Sequence, residues 1–178
     1  MKISVKKGLL LMNLMLLLSA CGSMNGQKYL NHQPAFNLRE YFTGPIQAWG
    51  MVQDRSGNVI RRFDIDMMGT WNDNEGKLVE NFSYYDGKTQ QRIWYIKDLG
   101  DGRFEGRADD IIDKAEGLLF GNAGQWTYTM DVPVDGKNIR LRFDDWMWAM
   151  HDQVLINRSY MKKFGIKVAE ITIFMKKS

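Results

Sequence analysis

The chain has 178 residues, 24 Lys and Arg against 21 Asp and Glu, a formal charge of +3 and a single cysteine. One cysteine excludes an intrachain disulfide and any zinc site built from several thiolates. A hydrophobic share of 44% with 25% charged residues is that of a folded domain of ordinary size rather than a disordered tail.

The elements follow in chain order. Lys2, Lys6 and Lys7 form a positive start, and Gly8 to Leu18 is apolar except for Asn13. A membrane span needs about 20 apolar residues, so this shorter run reads as a signal peptide over residues 1–20. Leu18-Ser19-Ala20-Cys21 resembles the bacterial lipobox, whose cysteine is acylated and becomes the first mature residue. Several acyl chains hold a protein on a membrane where one does so only marginally. Gly22 follows, not the Asp that resembles an inner-membrane retention signal, which points to the inner leaflet of the outer membrane and a domain facing the periplasm. Residues 21–35, polar and without periodicity, are expected to be the lipidated cysteine and a flexible tether reaching on the order of 20 Å. No acid lies in residues 1–20, so removal of the three lysines leaves 21 side chains of each sign. The basic excess therefore belongs to targeting, and a nucleic-acid partner is not expected.

Residues 36–178 are expected to form one all-β domain. Trp126, Tyr128, Met130 and Val132 alternate with Gln125, Thr127, Thr129 and Asp131, the pattern of a strand with one buried face. Similar alternation and the turns between runs predict strands at 45–53, 59–69, 77–85, 89–98, 103–109, 124–132, 138–147, 153–160 and 167–176, with helical turns near 38–43 and 110–117. Asp86-Gly87 and Asp135-Gly136 are hairpin dipeptides. Eight or nine strands joined this way hide their edges by closing, so an up-and-down barrel is expected, with a Greek-key sandwich as the alternative. A barrel of this size is either filled by side chains or holds one small ligand.

Asp86-Gly87, Arg92-Ile93-Trp94, Ala108-Asp109-Asp110, Gly121-Asn122-Ala123, Val132-Pro133-Val134-Asp135-Gly136-Lys137, Phe143-Asp144-Asp145-Trp146-Met147, Asn157-Arg158 and Lys163-Phe164-Gly165, behind a lipobox, resemble a family of proteobacterial lipoproteins catalogued as a domain of unknown function. The resemblance implies a calycin-like, that is lipocalin-like, barrel and, from the gene surroundings of such lipoproteins, a lipid ligand. Trp49 follows Thr43-Gly44-Pro45 at a spacing other than the Gly-x-Trp signature of lipocalins.

Adjacent strand residues face opposite ways, so only one of Asp144 and Asp145 can point inward. An inward Asp145 needs a partner, for which Arg92, Arg158 and Lys163 are candidates. Such a pair would grip the polar head of an amphipathic ligand while Trp146 and Trp148 contact its tail; the alternative is a structural ion pair or a turn cap. The ligand-binding candidates are Arg92, Trp94, Asp109, Trp126, Tyr128, Asp145, Trp146, Trp148 and Arg158, and Cys21 is the lipidation site. Asp109, Asp110 and Asp113 lack EF-hand spacing and read as a helix cap, so no metal is expected. No HExxH, GxSxG, phosphate-loop or dinucleotide fingerprint occurs, and no catalytic residue or cofactor is assigned. The readings left open are a binder of a fatty acid or other small lipophilic molecule, a non-catalytic envelope scaffold or assembly factor with a filled barrel, and a hydrolase using paired carboxylates such as Asp109 and Asp145.

Overall fold

The computed structural model describes residues 24–134 and 136–177. Ten antiparallel strands follow one another: β1 (Gly44–Asp54), β2 (Val59–Asn72), β3 (Glu75–Tyr84), β4 (Thr89–Gly100), β5 (Arg103–Arg107), β6 (Ile111–Phe120), β7 (Ala123–Val134), β8 (Lys137–Ala149), β9 (Val154–Lys163) and β10 (Ile166–Lys177). Each pairs with its sequence neighbours, and β1 pairs with β10 from Ile46 opposite Lys177 to Asp54 opposite Ala169, which closes the sheet. Closure leaves no unpaired edge. The expected up-and-down barrel is therefore present, with ten strands instead of eight or nine.

Alternation sets which side chains enter. Phe63, Ile65 and Met67 of β2, Trp126 and Tyr128 of β7, and Leu141 and Phe143 of β8 are buried in one continuous core. Space for the indole of Trp126 comes from the strand beside it. Gly117 lies directly opposite, and a Cβ at that position would come within 2.8 Å of the ring. Tyr128 and Phe143, directly opposed on β7 and β8, stack with centroids 4.9 Å apart.

The expected helical turn at 110–117 is strand β6. Ile111 and Ile112 pair with Met130 and Thr129, the register then shifts, and Glu116 pairs with Thr127. Asp113, at φ +62°, takes up the extra residues in a bulge. The acids that resembled a helix cap instead shape an irregular strand start. The other expected turn is real: helix α1 (Leu38–Tyr41) is capped by Asn37, whose side chain accepts from the Glu40 amide at 3.2 Å. Leu38 and Phe42 are buried against the barrel interior, Trp71 Nε1 donates to the Phe42 carbonyl at 3.0 Å, and Lys177 Nζ donates to the Glu40 carbonyl. Together these contacts hold α1 as a plug at the end where β2 and β10 finish.

Residues 24–35, within the stretch read as a tether, lie against this same end. A 3₁₀ turn, Gly26–Tyr29, is capped by the Asn25 side chain. Tyr29 packs on Trp146 and Trp148 at centroid distances of 6.0 and 6.3 Å, and the Phe36 amide donates to the Gly121 carbonyl at 2.8 Å. Apolar contact with these indoles on the outer face of β8 gives this polar segment a place to rest. Cys21 and the signal peptide lie outside the described residues.

Candidate functional site

The barrel encloses a cavity of about 140 Å³ between the plug and the middle of the strands. Most of its wall is apolar, with Leu38 and Phe42 from the plug, Ile65 and Met67 from β2, and Trp94 and Trp126 across from them. One side is polar. Glu80, Arg92, Tyr128, Asp145, Asn157 and Ser159 converge there from five different strands.

Strand register explains the convergence. Glu80 of β3 lies directly opposite Arg92 of β4, Asp145 of β8 opposite Trp126 of β7, and Ser159 of β9 opposite Asp145. The Arg92 guanidinium reaches Asp110, in the turn before β6, through Nε at 3.0 Å and a terminal nitrogen at 2.9 Å. It also lies over the Trp94 ring at 4.3 Å and beside the Tyr128 hydroxyl. Burial would lower its pKa, but Tyr128, Glu80 and Asp110 outweigh burial and the net shift is upward. Arg92 stays charged.

The interior carboxyls behave differently. Asp145 accepts from Asn157 Nδ2, which also donates to the Trp146 carbonyl at 3.0 Å. Burial nonetheless raises the Asp145 pKa to about 6, with the Asn157 hydrogen bond and Arg92 offsetting only part. Burial raises Glu80 further, to about 7, against a partial pull from Arg92. Neither carboxyl has a cationic nitrogen within 4.0 Å among the described residues. The Ser159 hydroxyl lies close enough to Asp145 to favour its ionised form, yet makes no well-directed hydrogen bond.

Of the candidates named from sequence, Arg92, Trp94, Trp126, Tyr128 and Asp145 line the cavity. The other four do not. Arg158 is exposed on the outer face of β9, and Asp109 is exposed in the β5–β6 turn, away from the cavity wall that holds Asp145. That arrangement does not bring Asp109 and Asp145 together as a paired-carboxylate site. Trp146 is fully buried, but outside the barrel wall, stacked between Phe120 and Trp148 and covered by Tyr29. Asp144 shares that outer face and holds Lys162 Nζ at 2.6 Å, Gln125 Nε2 at 2.8 Å and Trp146 Nε1 at 3.0 Å. The alternation of the pair Asp144-Asp145 is thus as expected, and the inward partner is Arg92 only at longer range. Glu80, Asn157 and Ser159 were not foreseen; the signal for Glu80 was its place between Leu78 and Phe82 on the inward register of β3.

The chain belongs to the family described as "Protein of unknown function (DUF3833)", whose profile matches residues 15–177. No curated protein matches it. Among solved structures, it is similar to the S-type phycobiliprotein lyase CPES from Guillardia theta, with a TM-score of 0.54 at 10% identity over 79% of this chain and 91% of that one. At that identity the likeness concerns the fold, a calycin-like barrel.

Proposed function

We propose that this member of the family is a periplasm-facing lipoprotein, anchored through Cys21 to the inner leaflet of the outer membrane, whose barrel binds a small lipophilic molecule carrying one polar group. The observation that supports binding is the cavity itself: an apolar chamber with a few convergent polar side chains is the usual form of a small-molecule site. A cavity of about 150 Å³ takes a benzene-sized molecule. The chamber therefore suits an aromatic or short alkyl group, or one end of a longer chain whose remainder leaves the barrel.

Native mass spectrometry of the purified protein, alone and with added alkanols and fatty acids of graded length, tests the reading. One bound molecule per chain, with a change in tryptophan emission from Trp94 and Trp126, is the expected result. If no copurified or added compound binds, the binding reading fails and a non-catalytic scaffold takes its place.

A further inference from the structure

The polar side of the cavity is unevenly charged. Glu80, Asp145 and Asp110 meet there with one base, Arg92, which pairs with Asp110 through a hydrogen bond from Nε and a 2.9 Å ion-pair contact from a terminal nitrogen that has no hydrogen-bond partner. Glu80 and Asp145 lack an ion-pair partner within 4.0 Å among the described residues. Beside them the Ser159 hydroxyl, in a residue only 3% exposed, makes no hydrogen bond. Buried acceptors in native proteins are normally satisfied.

We propose that this side of the cavity binds the cationic, hydrogen-bond-donating head of a small lipophilic amine and disfavours a carboxylate. The proposal rests on the binding reading above and narrows its ligand class. A primary ammonium carries three donors: the Glu80 and Asp145 carboxyls, whose neighbouring donors Trp94 and Asn157 are neutral, offer it ion-pair partners, and the Ser159 hydroxyl has no hydrogen-bond partner. Trp126, which also lines the cavity, adds an aromatic ring favourable to a cation, while Trp94 and Tyr128 already carry the Arg92 guanidinium. A carboxylate could address the buried Arg92 terminal nitrogen, which has no hydrogen-bond partner, but it would enter a space that already holds Glu80, Asp145 and Asp110 against that one base. Like charges in a poorly solvated site repel strongly. Burial already holds Glu80 and Asp145 toward their neutral forms, and an ammonium would reverse that by pairing with them.

Hexylamine, hexanol and hexanoate share one apolar body and differ in the head alone. Titrated at pH 7.5 into the full-length protein in lipid nanodiscs, with empty nanodiscs as the reference, they should rank amine, alcohol, carboxylate, the first binding about tenfold or more tighter than the last. Glu80→Gln, which keeps the side-chain volume, should abolish the preference for amine over alcohol. Asp145→Asn tests the same point from the opposite strand. Hexanoate binding as tightly as hexylamine, or amine no tighter than alcohol, overturns the proposal and leaves the cavity reading intact. Binding of none of the three overturns both.

Discussion

Glu80 and Asp145 face the same wall, and burial raises the pKa of each, to about 7 and about 6. A carboxyl that holds its proton more tightly in the folded chain than in the unfolded one makes the folded state the greater proton binder, so stability falls as pH rises. The loss begins near the unfolded values, about 4, and is complete above the folded ones. The Tm should therefore drop between pH 5 and pH 8, and Glu80→Gln should flatten that slope and raise the Tm at pH 8. Thermal unfolding followed by circular dichroism across that range decides it; a Tm rising toward pH 8 in the native protein contradicts the assignment. Asp145 was legible in the sequence because neighbouring strand residues diverge, and Asp144 does leave for Lys162 on the outside. The same parity places Trp146 and Trp148 on the face opposite Asp145. Nothing local to β8 could say that Tyr29, more than a hundred residues earlier, would cover them.

At the scale of elements, β-periodicity carried nine strands and failed at β6, where the bulge at Asp113 breaks the alternation that a strand needs to be recognised. Acids at 109, 110 and 113 have a ready local explanation as a helix cap, and only pairing with β7 overrides it. The plug α1 shows the opposite case: Asn37 with Glu40 three residues later marks a helix start in the letters alone. Its seating on the barrel, however, depends on a distant residue. Gly69 of β2 lies beneath the Phe42 backbone, and a Cβ there would overlap the Phe42 carbonyl, the same oxygen that receives Trp71 Nε1. Gly69→Ala should therefore push the plug outward and cost about 1–3 kcal/mol, the range for inserting a methyl into a packed core. Denaturant unfolding gives the magnitude, and amide exchange should show the loss of protection concentrated at Leu38–Phe42. Protection lost evenly around the barrel would mean that Gly69 matters to the sheet rather than to the plug.

For the molecule as a whole, the up-and-down path sorts every connection to one of two ends. The β6–β7 and β8–β9 connections, the plug and the segment Gly26–Tyr29 share one end, and the β9–β10 hairpin with Phe164 at its tip lies at the other. Residues 24–35 are packed onto the barrel, so only three Cα steps separate Cys21 from Met24, about 11 Å at full stretch. An acylated Cys21 would thus hold the plugged end close to the bilayer instead of letting the domain swing on a long tether. Strand β9 spans the two ends with ten residues, which at about 3.3 Å each and a tilt near 40° separates them by roughly 25 Å. Because Cys21 is the only cysteine and acylation would consume its thiol, single labels at His151→Cys or Phe164→Cys would then report without interference. Energy transfer to a lipid-bound acceptor should be strong from position 151 and weak from 164, and Cys21→Ser should release the protein from the membrane fraction altogether. Equal transfer from both positions would show that the barrel is not held by its plugged end, and membrane retention of Cys21→Ser would show that the anchor is not this cysteine.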